Sequence, residues 1–319
     1  MPPHDPTPTR RALLASAAAA AAGLAAGPAA AQLDQILGQA AGQMGFGQTL
    51  NTVNDLMKGM DLGEAEELVM AESYYERFIG QSGGRYNSRK AQEALKRFAQ
   101  PILQTSQRRG LPWDIVLVDN DTVNAWALPG GKLAVHKGLI RYTATPEELA
   151  AVISHELAHA EFSHGLKQMK NKAFTQNLST YGKQRLVEQV STGRGGALAG
   201  TLTGEMLGVL EGPIFEMVTS GYSQDLEFEA DAHIVSVFKL GGYDVSKAPD
   251  FFRTMMQLVP EKTQATSSLY STHPGTKKRV ERIEKQVKKE KAGFVVPGAP
   301  VGWAELKQSF PTRKNFRRA

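Results

Sequence analysis

A mainly helical α+β fold with one small β-hairpin or sheet is what this 319-residue sequence predicts. Three observations carry that expectation. Long stretches space their apolar residues at helical intervals. A single run, "WDIVLVDND" (113–121), is β-branched and alternating, hence a strand. Two short apolar runs flank Pro129-Gly130-Gly131, the punctuation of a hairpin. No similarity recurs at a period of 20–50 residues, so no repeat array is expected.

The first segment, "MPPHDPTPTRRALLASAAAAAAGLAAGPAAAQ", reads as an export signal rather than as part of the fold. Arg10 and Arg11 precede an uncharged Ala/Leu run from Ala12 to Ala26, and Ala29-Ala30-Ala31 supplies an A-x-A type cleavage site before Gln32. "TRRALL" fits a twin-arginine address, and an ordinary secretory n-region with two arginines fits as well. The run is too short and too alanine-rich for a membrane span, and no later window approaches one. Residues 1–31 are therefore expected to be removed, leaving an exported, soluble chain of about 290 residues, enough for a large core. Its first part, 32–63, is a Gln-, Gly- and Met-rich lead-in, mobile or helical.

Between Glu64 and Phe78, "EAEELVMAESYYERF" predicts a helix, ended by "IGQSGGRY". "SRKAQEALKRFAQPILQTSQRRG" (88–110) predicts another, stopping at Gly110-Leu111-Pro112. After the strand comes "NAWALPGGKLAVHKGLI" (124–140), a hairpin whose Pro-Gly suits a type II turn. "TATPEELAAVISHELAHAEFSHG" has clear helix-start signals: Thr145 as N-cap, Pro146 at N1 and Glu148 closing a capping box. Leu149, Val152, Ile153 and Leu157 give that helix a broad apolar face.

Residues 165–221 read as mostly helical, with a Gly-rich break at "STGRGGALAG". "SQDLEFEADAHIVSVFKLGG" (223–242) and "DVSKAPDFFRTMMQLV" (244–259) are further helices, followed by a polar loop over 260–272. "THPGTKKRVERI" leads into the last strong helix. The formal charge of +5 is weighted towards "TKKRVERIEKQVKKEK" and "RKNFRR". Such runs are solvated helix faces or tails, and 292–319 is read as a basic C-terminal tail. Peripheral contact with an anionic membrane surface is compatible with this charge, whereas nucleic acid is not an expected partner of an exported chain.

The chemistry concentrates in "SHELAHAEFSH", which holds three of the seven histidines. His155 and His159 are four apart, one turn along one face of a helix. Glu156 could reach a water held between them. This is the H-E-x-x-H zinc-protease pattern, in which two neutral imidazoles hold the metal and the Glu is the general base. With no cysteine in the chain, any metal must be held by His and carboxylates. Catalytic zinc takes three protein ligands. His164 is the local candidate, but a helix continuing through it would carry its ring away from the pair. Glu227 is the better one, because Asp231 one turn later could accept the free N–H of a ligating histidine. Glu229 is its rival, about 200° round the same helix.

Taken together, "ELAAVISHELAHAEFSHG", "YSQDLEFEADAH" and "STHPGTKKRVERI", preceded by "VNAWALPGGKLAVHKGLI", resemble the gluzincin metallopeptidases of the HtpX and CAAX prenyl protease type. The resemblance runs from about residue 70 to 285. It implies a zincin-like metalloprotease domain over 64–291, with the H-E-x-x-H helix at its centre and one Zn2+ per chain. It implies Glu227 rather than Glu229 as third ligand and Asp231 as its support. It places His273 and Arg279 near the cleft, to bind the transition-state oxyanion or to let the histidine cap the zinc at rest. Gln224 departs from the arginine usual after the Ser of the family's Tyr-Ser-Arg motif.

Without membrane spans the chain resembles the periplasmic, BepA-like branch, minus its helical-repeat domain. That implies a zinc metalloendopeptidase in the periplasm of a Gram-negative bacterium, acting on unfolded or misassembled envelope proteins in quality control. Two rival readings are a latent protease serving mainly as a chaperone or assembly factor, with the outer-membrane assembly machinery as partner, and a zinc hydrolase of a non-peptide substrate. The hairpin offers Asn124, Ala125, Trp126, Leu133, Ala134 and Val135 as an edge to which an extended substrate could add.

Overall fold

Alternation along three short strands decides the layering. In the computed structural model, β1 (Asp114–Val118), β2 (Ala125–Leu128) and β3 (Lys132–His136) form one sheet in the order β1-β3-β2. The structure describes residues 63–168, 220–258, 277–290 and 300–312, with positions 214, 218, 272, 273 and 295 between them. Ile115, Leu117, Ala125, Ala127, Leu133 and Val135 point to one side of the sheet, and Val116, Val118, Trp126, Leu128 and Ala134 to the other. Both sides are buried. Helix α1 (Glu64–Gln81) covers the second with Met70, Tyr74, Phe78 and Ile79. The first meets α2 (Arg89–Leu103) and the histidine-bearing helix α4 (Pro146–Glu161).

β3 pairs in parallel with β1, Val116 opposite Ala134, and antiparallel with β2, Trp126 opposite Ala134. This corrects one expectation. Leu133, Ala134 and Val135 lie in the central strand with both backbone edges paired, so of the two hairpin strands only β2 has an outer edge. The parallel partner comes from outside the hairpin, so hairpin spacing alone cannot reveal it. At the turn, Gly130 and Gly131 both have positive φ. A Cβ on Gly130 would also lie 2.6 Å from the Glu67 carbonyl oxygen, so the hairpin tip is seated against α1.

Several boundaries shift for local reasons. α1 runs on to Gln81, past the expected Phe78. α2 stops at Leu103 rather than near Gly110, where Thr105 Oγ1 turns back to the Ile102 carbonyl. The end of the expected second hairpin strand is instead helix α3 (Lys137–Tyr142). α4 begins as predicted, with Thr145 Oγ1 accepting from Glu148 N–H at 3.3 Å. The Glu148 carboxylate, however, reaches one residue further back, to Ala144 N–H.

α5 (Gln224–Gly241) packs along α4, and Val245–Lys247 forms a 3₁₀ turn before α6 (Asp250–Leu258), where one continuous helix was expected. Asp244 caps that turn at Ser246 N–H, and Pro249 follows it. α7 (Lys277–Val287) rests on α5 and α6. The expected tail is a further correction. α8 (Trp303–Ser309) returns to α2, burying Leu306 and Phe310 in the main core, with the Trp303 ring 5.9 Å from that of Phe98.

No helix among the described residues is long and apolar enough to cross a membrane. The expected signal segment and most of the lead-in, most of the expected helical stretch 165–221 with its Gly-rich break at 191–200, the loop through 271 and "RKNFRR" lie outside the described residues.

Candidate metal centre

Helix α4 is buried along nearly its whole length, from Glu148 to Glu161. Its apolar residues fix its rotation, and that rotation sends His155, Glu156 and His159 towards α5. On α5, Glu227 and Asp231 are each 1% exposed, whereas the Glu229 side chain is 45% exposed. Of the two acids that spacing left in contention, Glu227 is the one facing the histidines.

His155 Nε2 and His159 Nε2 lie 3.0 Å apart. Glu227 Oε2 is 3.3 Å from the first, and Glu227 Oε1 is 3.4 Å from the second. His273 Nδ1 adds a fourth donor, 3.2 Å from His155 Nε2 and 3.0 Å from Glu227 Oε1. Ligand atoms at the vertices of a zinc tetrahedron are roughly 3.3–3.6 Å apart, given bonds of about 2.0–2.2 Å. Three ring nitrogens and a carboxylate meet here at close to that spacing, with one ligand atom from each within 4.8 Å of the rest.

Charge makes the same case. Glu156, Glu227 and Asp231 are all buried, against one buried guanidinium, Arg279. Uncompensated buried carboxylates are costly, and a cation at the convergence point would relieve that cost. Among the described residues, neither Glu156 oxygen has a hydrogen-bond partner, although His273 Nε2 stands 3.3 Å from one of them. The donor set and its charge therefore fit a divalent metal.

The surrounding contacts hold these groups in place. Asp231 Oδ1 is 3.2 Å from His155 Nδ1, and Arg279 grips the same carboxylate at 2.6 and 2.7 Å. Arg279 Nη1 also reaches Glu227 Oε2 at 2.9 Å and donates to the His273 carbonyl at 3.2 Å. Tyr222 lies flat on the His159 ring, 3.9 Å away and inclined by 11°. Asn124, just before β2, approaches Thr272 Oγ1 at 3.5 Å, which sets the strand's start beside His273.

Burial pulls the His155 pKa down, but Glu227 and Asp231 outweigh it and push it up to about 9. His159 goes the other way, well below the usual imidazole value, chiefly through burial. Burial raises Glu156 above the ordinary carboxylate range. Against the same burial, His273, Arg279 and His155 hold Glu227 well below that range.

Two residues escaped the sequence reading. His164 was expected to project away from the pair, yet its Nδ1 lies 2.8 Å from His159 Nδ1. The helix does not continue straight. Ser163 takes a positive φ of 52°, and the chain turns there. Tyr222 was given no role, although it is the Tyr of the Tyr-Ser-Gln sequence set against the family's Tyr-Ser-Arg motif, directly before the N-cap Ser223 of the acid-bearing helix.

Comparison with known proteins agrees with this geometry. The chain is 26% identical over 243 residues to the beta-barrel assembly-enhancing protease of Escherichia coli K12, covering 75% of this chain and 47% of that protein. It is 27% identical over 188 residues to the mitochondrial metalloendopeptidase OMA1 of Arabidopsis thaliana, covering 59% and 34%. It is 28% identical over 179 residues to the metalloprotease YcaL of Escherichia coli K12, covering 56% and 63%. The chain thus spans about half the length of the first of these relatives. A family model, Peptidase family M48, matches residues 89–287, more than half of the sequence and all of the centre described above. The chain belongs to peptidase family M48.

Proposed function

We propose that the protein is a zinc-dependent endopeptidase acting on unfolded or misassembled envelope polypeptides after export to the periplasm of a Gram-negative bacterium. The observation that carries the reading is the meeting of His155, His159 and Glu227 around one point with the carboxylate of Glu156 beside it. These three would hold the zinc. When bound, the metal supplies Lewis-acid polarisation of a scissile carbonyl and acidifies a water. Glu156, buried beside these ligands, would accept a proton from the attacking water and deliver it to the leaving amine. β2 offers its outer edge, from Asn124 to Trp126, to an extended chain through backbone hydrogen bonds, a mode that favours unfolded substrates. Barrel-assembly enhancement, in the name of the Escherichia coli relative, supports envelope proteins as the substrate class and their assembly machinery as partner.

A second reading, a latent protease serving mainly as an assembly factor, is favoured by His273. Its Nδ1 stands among the ligand atoms, where it would close the position a substrate needs. Initial rates on an unfolded protein such as casein test both readings. Glu156→Gln should abolish hydrolysis while about one equivalent of zinc stays bound, because it removes the base and no ligand. Retained turnover would refute the role of Glu156. His273→Ala should raise the rate if the histidine caps the metal. A loss of up to about 10²–10³-fold would make it an oxyanion donor instead.

A further inference from the structure

The turn at Ser163 puts a second imidazole behind the first. His164 Nδ1 is 2.8 Å from His159 Nδ1, and His164 Nε2 is 3.2 Å from Glu229 Oε2. His164 is completely buried, whereas the Glu229 side chain is nearly half exposed and has Lys167 Nζ at 3.4 Å. The line of contacts therefore runs from the metal centre to solvent through one buried ring.

The proton directions on this line are forced. For His159 Nε2 to offer its lone pair to a metal, the ring proton must sit on Nδ1. That N–H then donates to His164 Nδ1, which must be bare. The remaining proton of a neutral His164 is on Nε2 and donates to the Glu229 carboxylate. The opposite arrangement would put the His159 proton on the nitrogen that faces Glu227 and His155.

The local backbone is bent to make this contact. A non-glycine residue at positive φ is strained by its Cβ, and Ser163 adopts it where glycine would be usual. Arg108 holds the bend, donating from Nη1 to Ser163 Oγ at 3.0 Å and to the Ala160 carbonyl at 3.2 Å. It is itself anchored on Glu67 at 2.5 Å and Glu64 at 3.1 Å.

We infer that His164 and Glu229 are positioning residues that fix the tautomer and ring orientation of His159 for metal binding. They do for this histidine what Asp231 does for His155. The inference rests on the reading that His155, His159 and Glu227 hold the metal.

The test is zinc affinity of the full chain, measured by competition with a chelator. His164→Ala should weaken zinc by about 10–100-fold, the usual cost of removing a partner of a ligating histidine. Glu229→Ala, whose side chain reaches solvent and whose loss leaves the core intact, should weaken it less. The double variant should bind no more weakly than His164→Ala alone. In the zinc-loaded protein, the His159 Nδ1–H proton should give a slowly exchanging NMR signal that disappears in His164→Ala and survives in Lys167→Ala. Wild-type affinity in His164→Ala would overturn the inference, as would an equal Glu229→Ala loss with and without His164. If the wild type itself takes up no zinc, the metal reading falls and this inference with it. If the wild type binds and both variants bind as tightly, only this inference falls.

Discussion

The two histidines of α4 are held from behind in opposite ways. His155 backs onto a carboxylate locked in a bidentate contact with Arg279, with every member of the set buried. His159 backs onto a neutral ring whose own partner, Glu229, lies half in water. The first arrangement is bound into the core, and its loss leaves charge stranded. The second ends at the surface, where solvent can replace a missing partner. One metal centre thus joins a stability-coupled side to a nearly independent one.

Breaking the buried side should have the largest effect. Arg279→Met strands Glu227 and Asp231, and the loss of one partner of a buried ionic set costs about 3–5 kcal/mol. Thermal or denaturant unfolding of the metal-free protein would show it; a change below about 1 kcal/mol would mean that the guanidinium does not carry the charge balance. Asp231→Asn should weaken zinc by about 10–100-fold and also lower stability, since Arg279 loses its bidentate partner. A fall in affinity with unchanged stability would place Asp231 on the same footing as His164. The smallest effect is expected at Lys167→Ala, within about 1 kcal/mol of wild type. A larger effect there would make the solvent side as constrained as the buried one.

What the sequence made legible follows the range of each signal. His155, Glu156 and His159 could be placed because helix periodicity fixes which residues share a face. Glu227 and Asp231 followed by the same rule, but spacing could not reject Glu229, and the family motif made that choice. His164 was misjudged because one residue, Ser163, leaves the helical region, and serine carries no signal for that. The central place of β3 depends on a parallel strand from outside the hairpin, a contact that local patterns do not encode. The last helix was hidden by its charge, although Trp303, Leu306 and Phe310 stand at helical spacing and could have revealed it.

That last helix also sets the order in which the molecule can be completed. Gly302, at a positive φ, rests on the backbone of Ala94, and Lys307 Nζ donates to the carbonyls of Ile140 and Thr143 at 2.7 Å just before the metal-binding helix begins. Arg97 and its partner Glu305 stand 208 positions apart in the chain. Until α8 has been synthesised, the side of α2 that carries Phe98 lacks one of its covers, and a contact so distant closes late. A nascent chain halted before Trp303 would leave that part of the apolar face open to chaperones or to other chains, so the core on this side closes only once α8 has emerged.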